Sequence, residues 1–136
     1  MDDLQALIAR ARDVAGRAYA PYSHFRVGAA VRDAHGSVYV GCNVESVSYG
    51  LTMCAERNAI FAAVAAGASR PFSGLAVTCL DASGPCMPCG ACRQVMEEHL
   101  AVDAPVYVGG GDGDGALMFT AAQLLPHAFK MDTVAE

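Results

Sequence analysis

Leu4, Leu7, Ile8, Ala11 and Ala15 recur at intervals of three and four residues, with Asp2, Gln5, Arg10, Arg12 and Asp13 between them. That spacing lays an apolar stripe along one side of a helix and predicts a helix over 2–18, ended by Pro21. Residues 20–25 then read as an ordered loop, and the period changes after it. Val27, Ala29 and Val31 alternate within 26–33, and Val38, Val40 and Cys42 alternate within 37–44, on either side of His35-Gly36. Alternation at every second position marks strands with one inward face, and the short Gly-containing turn predicts a hairpin. Residues 45–53 hold several hydroxyls and Gly50 and are expected to be loop. From Cys54 the run CAERNAIFAAVAAG is alanine-rich and predicts a helix capped by Gly67; its apolar surface beyond Asn58 makes it a central element.

LAVTCL at 75–80 is short and apolar, as in a buried strand, and Ser83-Gly84-Pro85 breaks it. A helix is expected from Cys89 or Gly90 to about Leu100, with Val95, Met96 and Leu100 inward. Strands follow at 105–108 and 116–120, joined by the glycine-rich turn 109–115, and a short helix at 121–125 stops at Pro126. The order α-β-β-α-β-α-β-β-α, without repeats or linkers, predicts an α/β fold: a three-layer α/β/α sandwich around a five-stranded mixed sheet, with 1–136 as a single domain.

Composition narrows the possible partners. The 136 residues are 54% hydrophobic and 17% charged, enough for a real core. The net charge is −5 and the nine Lys and Arg residues are scattered, so no basic patch is available to neutralise phosphates, and nucleic acid is not expected as a partner. No apolar run suits a membrane, and residues 1–20 do not read as a signal peptide, so a cytoplasmic protein is expected. The turn GGGDGDG lacks the Gly-Lys-Ser/Thr of a phosphate loop.

The cysteines carry the chemistry. They are Cys42, Cys54, Cys79, Cys86, Cys89 and Cys92. In a reducing compartment, metal binding or catalysis is a better use for them than a disulfide framework. Cys54-Ala55-Glu56-Arg57 offers a thiol and a carboxylate two residues apart, and Pro88-Cys89-Gly90-Ala91-Cys92-Arg93 offers two thiols in one helical turn. Three thiolates can hold Zn²⁺ and leave its fourth position open, where Glu56 could move protons for a water activated by the metal. Pro85-Cys86-Met87-Pro88-Cys89 is an overlapping register, but it would place a proline between its ligands, so Cys86 reads as a bystander. All three ligands fall at predicted helix N-termini, which favour thiolates. Arg57 and Arg93 follow directly and are expected to donate to the sulfurs, tempering their charge. Two plainer readings stay open: a closed four-cysteine structural site that includes Cys86, and ordinary core cysteines. In both, Glu56 has no role.

The pattern Cys-x-Glu…Pro-Cys-x-x-Cys is the three-cysteine variant of the zinc nucleobase deaminase signature. The likeness extends through Tyr22–Ala30, Gly41–Glu45, Ser48–Arg57, Pro88–Val95 and Leu124–Phe129, in order, over about residues 18–129. In these segments the chain resembles the small homotetrameric cytidine deaminases. The resemblance implies one zinc per subunit on Cys54, Cys89 and Cys92, with Glu56 as the proton shuttle and cytidine or deoxycytidine as substrate. It implies Asn43 and Glu45 as partners of the ribose hydroxyls, a role that suits their placement on one face of a strand end. It further implies Phe25 as a wall beside the pyrimidine, the backbone near Ala55 and residues 87–88 as contacts to the base edge, and Tyr49 and Phe129 at sites shared between subunits of a tetramer. Four departures from the family pattern stand out: Asn58 for Thr, Ser46-Val47 for Asn-Ala, the extra Cys86, and Lys130-Met131-Asp132 near the end. Those at 46, 47 and 58 could shift substrate preference. The rival readings are a deaminase of an aminonucleoside such as blasticidin S or of a modified cytosine nucleoside, a polynucleotide deaminase, and a zinc module without catalysis.

Overall fold

The computed structural model describes residues 3–110 and 116–131. Its elements are α1 (Asp3–Ala15), β1 (Val27–Arg32), β2 (Val38–Cys42), a 3₁₀ turn (Tyr49–Leu51), α2 (Ala55–Ala65), β3 (Gly74–Cys79), α3 (Gly90–His99), β4 (Val106–Val108), β5 (Leu117–Phe119) and α4 (Ala121–Leu124). The sheet order is β2-β1-β3-β4-β5, with β3 and β4 parallel and the other neighbours antiparallel. The mixed five-stranded sheet of the expected three-layer fold is thus present. The glycine-rich turn expected at 109–115 lies mostly outside the described residues.

Two cores flank the sheet. Ala29, Val31, Leu75, Val77, Val106 and Val108 meet Ala59, Ile60 and Ala63 of α2 and Met96 of α3 on one face. Ala30, Ala76 and Tyr107 meet Leu7 and Ala11 of α1 on the other. The middle strand β3 is buried along its whole length, because helices cover both its faces. This also explains why LAVTCL does not alternate.

Two glycines bring the helices close to the sheet. A Cβ on Gly28 would lie 1.9 Å from the Ala11 carbonyl, so α1 rests directly on β1. A Cβ on Gly41 would lie 2.4 Å from the Ala59 nitrogen, so α2 rests directly on β2. The second contact ties the helix that begins after Cys54 to the strand that leads into Asn43.

The first helix is shorter than its periodicity suggests. It ends at Ala15, six residues before Pro21, and turns through Gly16 and Arg17. Tyr19 has by then entered a parallel bridge with Val44. The 45–53 segment is more ordered than a plain loop, since Val44 also bridges Met53 and a 3₁₀ turn lies between. α2 covers the sheet as expected of a central helix, although Phe61 and Val64 on its outer side stay 43% and 40% exposed in the single chain.

Candidate metal centre and its cavity

Cys54 is the N-cap of α2 and Cys89 the N-cap of α3, both with extended backbone, and Cys92 lies in the first turn of α3. Both helices therefore aim free N–H groups and the positive end of their dipoles at the sulfurs. The three Sγ atoms lie within 4.8 Å of one another. Cys54 Sγ is 3.9 Å from Cys89 Sγ, which is 3.6 Å from Cys92 Sγ. A tetrahedral zinc with Zn–S bonds of about 2.3 Å needs sulfurs about 3.8 Å apart, so the trio fits that ion. No histidine joins the cluster among the described residues.

The electrostatics suit a metal. Arg57 Nη2 donates to Cys54 Sγ at 3.4 Å. A hydrogen bond from the Cys92 thiol, with Arg57 beside it, holds Cys54 down to about 5, well below the ordinary thiol range. Cys92 moves the other way, because its hydrogen bond to Cys54 and its burial both favour the protonated thiol. The metal-free cluster thus keeps a proton on Cys92 that metal binding must expel. Chelator competition is accordingly expected to show zinc affinity falling about ten-fold or more for each pH unit lowered between pH 8 and 6. A flat profile would mean that the thiols are not the ligands.

Glu56 lies in the first turn of α2 and is only 5% exposed. Burial pushes its carboxyl up to about 7, and the Cys54 charge adds to the push. A carboxyl near neutrality can both accept and release a proton at working pH, as a general acid–base requires.

A cavity of about 420 Å³ opens over these groups. Cys54, Ala55, Glu56 and Cys89 line it together with Phe25, Asn43 and Glu45. Asn43 Oδ1 accepts from the Val27 N–H at 2.9 Å, and its Nδ2 donates to the Phe25 carbonyl at 2.8 Å. Each amide atom keeps one further hydrogen-bonding valence. Glu45 Oε1 accepts from the N–H groups of Tyr22 at 3.0 Å and Ser23 at 3.2 Å, and the Ser23 hydroxyl donates to Oε2. These bonds, the Ser23 hydroxyl first among them, fix the carboxylate, favour its charged form and hold its pKa below the usual carboxylate range.

One sequence expectation fares differently, and the two residues expected at shared sites lie outside the single chain's cavity. Arg93 does not reach the sulfurs: its Nε donates to the Pro88 carbonyl at 2.8 Å and its Nη1 to the Leu124 carbonyl at 2.9 Å. Helix position alone does not keep it from the cluster, since it stands one turn after Cys89 as Arg57 does after Cys54; its guanidinium is taken up instead by these two carbonyls. Tyr49 lies outside the main cavity, in an adjoining depression that shares Ser23, Glu45 and Thr52 with it. Phe129 is 71% exposed and does not line its own chain's cavity; its carbonyl accepts from Gln94 at 3.0 Å. Cys86 stands outside the sulfur trio but lines the cavity beside Met87, with Ser23 and Thr52 also in the wall. These four come from loops with no periodic signal, although Ser23 and Thr52 lie within Tyr22–Ala30 and Ser48–Arg57, and the backbone at 87 is expected at the base edge.

The departures at 46, 47 and 58 do not face the cavity. Asn58 Nδ2 donates to the Cys42 carbonyl at 2.8 Å, the Ser46 N–H donates to Thr52 Oγ1 at 3.1 Å, and Val47 is 79% exposed.

Residues 1–108 match the family model of the cytidine and deoxycytidylate deaminase zinc-binding region. The chain belongs to this deaminase family. A cytidine deaminase of Sporosarcina psychrophila is 45% identical over 133 residues, covering 98% of this chain and 96% of the relative. That of Halalkalibacterium halodurans is 48% identical over 130 residues, covering 96% of each. The crystal structure of cytidine deaminase from Burkholderia pseudomallei superposes with a TM-score of 0.87 at 48% identity, covering 95% of this chain and all of that one. The α/β architecture is accordingly that of the deaminase fold, and the three-cysteine cluster is compatible with the zinc of this family.

Proposed function

We propose that this chain hydrolyses cytidine and deoxycytidine to uridine and deoxyuridine with release of ammonia. The supporting observation is that one cavity joins a three-thiol metal cluster, a buried carboxyl and a pair of polar groups suited to a sugar. Zinc on Cys54, Cys89 and Cys92 would supply the Lewis acidity that makes water a nucleophile near neutral pH. Glu56 takes a proton from water as oxygen adds to C4 and passes it to ring N3; it then takes the proton of the new C4 hydroxyl and delivers it to the amine as the C4–N bond breaks and ammonia leaves. Its burial keeps it out of bulk water and dedicates it to this transfer. Arg57 holds the Cys54 sulfur and spreads part of its charge, which would preserve the pull of a bound zinc on oxygen.

Asn43 and Glu45 bind the ribose. The one free donor and lone pair on Asn43 and the remaining lone pair on Glu45 suit adjacent groups on a sugar. Phe25 flanks the pyrimidine, its backbone held by Asn43 and by the Ser23 hydroxyl, which accepts from the Phe25 N–H at 3.1 Å. The backbone at Ala55 and at 87–88 reads the base edge. The substrate is a small nucleoside, not a polynucleotide, in keeping with the acidic charge. None of the described helices is long and apolar enough to cross a membrane, and a site of free thiolates suits the cytoplasm.

We assign the working form to a homotetramer with shared sites. Support comes from Phe61, Val64, Tyr49, Leu51 and Phe129, large apolar side chains left exposed on the single chain. Tyr49 and Phe129 would then contact the base or sugar from neighbouring subunits.

Turnover of cytidine, deoxycytidine, cytosine and blasticidin S, followed by ammonia release, tests the substrate. Both nucleosides are expected to react. Cytosine, lacking the sugar that Asn43 and Glu45 hold, is expected to lose at least about 10²-fold in kcat/KM. Inactivity on the two nucleosides with turnover of blasticidin S would overturn the assignment.

A further inference from the structure

One wall of the cavity is the loop that leads into α3, where Cys86 and Met87 face the site. The loop is tied at two points. Downstream, Arg93 holds the Pro88 carbonyl. Upstream, the Cys86 N–H donates to the Gly109 carbonyl at 3.0 Å. Gly109 and Gly110 continue β4, with the Gly109 N–H on the Val77 carbonyl at 2.9 Å. A Cβ on Gly110 would lie 2.2 Å from the Gly84 carbonyl oxygen, so this strap and the loop run backbone against backbone.

Arg12 lies behind the strap, on the helix that covers the other face of the sheet. Its Nη2 donates to the Gly110 carbonyl at 2.8 Å and to Thr78 Oγ1 at 3.3 Å. The Thr78 hydroxyl, fully buried at the end of the middle strand, donates to the same carbonyl at 3.3 Å. The guanidinium thus closes a path from α1 through Gly110 and Gly109 to Cys86. A charged donor on a carbonyl makes a stronger bond than a neutral one, and a planar fork loses little freedom in making it.

We propose that Arg12 is a positioning residue for substrate binding: it fixes the Gly109–Gly110 strap and through it the Cys86–Met87 wall of the cavity. The proposal rests on the reading of that cavity as the nucleoside site. Arg12 touches neither the thiol cluster nor Glu56, so its removal should alter the fit of the base and leave metal and proton transfer alone.

The experiment is steady-state kinetics on the zinc-loaded Arg12→Ala enzyme with cytidine, alongside metal content and thermal melting. KM is expected to rise about five-fold, with kcat within about two-fold and zinc still at the wild-type ratio, the signature of lost uniform binding. Arg12→Lys keeps a cationic donor and is expected to recover most of the KM. Gly110→Ala pushes on the Gly84 carbonyl directly and should raise KM in the same sense, and the double variant should show less than the product of the two effects because both act on one wall. An unchanged KM in Arg12→Ala, or a lower melting temperature with reduced kcat at constant KM, would overturn the proposal. Multiplicative effects in the double variant would also count against it. If Arg12→Ala does not fold, Arg12→Gln and Gly110→Ala carry the same test. Failure of the wild-type enzyme to turn over cytidine would sink the substrate assignment instead.

Discussion

Glu56→Gln is expected to retain zinc at the wild-type ratio and to lose about 10⁴-fold in kcat. The substitution is nearly isosteric, so the first turn of α2 should keep its shape and Cys54 its place as N-cap. It even removes a cost, since the native carboxyl is 5% exposed and burial disfavours its charge. The amide cannot accept and then give up a proton, and the proposed reaction asks Glu56 to do this for water, for N3 and for the leaving amine. A single positioned acid or base contributes about 10²–10⁴-fold, and a group used at several steps belongs at the upper end. Metal analysis and single-turnover kinetics separate the two effects. Zinc retained with turnover intact would remove Glu56 from the reaction, and zinc lost would make it a ligand.

That carboxylate is legible in the sequence for a physical reason. A helix start fixes the relative directions of its first residues, so Cys54 and Glu56 could be placed at one site before any tertiary contact was known. The same argument places Arg57 one turn from Cys54, where its Nη2 is found 3.4 Å from the sulfur. It misplaces Arg93, which stands one turn after Cys89 but has its guanidinium held by the Pro88 and Leu124 carbonyls, a tertiary choice that the helix start does not contain. Asn43 and Glu45 come from the family resemblance, with alternation only placing the two on one side of the strand end, and both line the cavity.

Period, composition and turn residues together disclose α1–α4 and β1–β5 among the described residues, but not the sheet order β2-β1-β3-β4-β5. The β1–β2 hairpin is a local feature. The insertion of β3 between β1 and β4 depends on which helix covers which face, a choice that no short window contains. The end of α1 was misread for a related reason. Pro21 is a strong local stop, yet the chain leaves the helix earlier, because Tyr19 has to reach its bridge with Val44. Ser23, Thr52 and Met87 reach the cavity from separate loops. No periodicity marks them as a wall: residue 87 is expected at the base edge only through the family resemblance, and Ser23 and Thr52 lie in the stretches that carry that likeness without a role of their own.

Cys89→Ser and Cys92→Ser are expected to lose zinc, and with it all measurable turnover, while Cys86→Ser keeps both. The contrast follows from the sulfur geometry. Cys89 Sγ stands 3.9 Å from Cys54 Sγ and 3.6 Å from Cys92 Sγ, near the edge length of a zinc tetrahedron, and Cys86 is outside the cluster. Burial pushes the Cys86 thiol well up, and neighbouring Cys79 adds to the shift, so Cys86 stays protonated where the metal needs thiolates. A serine hydroxyl at 89 or 92 would have to ionise far from its own range to replace the lost ligand. Zinc sites of this kind draw on the order of 10 kcal/mol from metal binding, so removing one of three protein ligands should weaken retention by several orders of magnitude. The effect should be larger for Cys92, which is fully buried and has no water to replace the sulfur, than for the exposed Cys89. Metal content after gel filtration in the presence of a chelator reads this directly. Zinc loss from Cys86→Ser, with Cys89→Ser still loaded, would move the site to the other Pro-Cys-x-x-Cys register and overturn the assignment of the ligands.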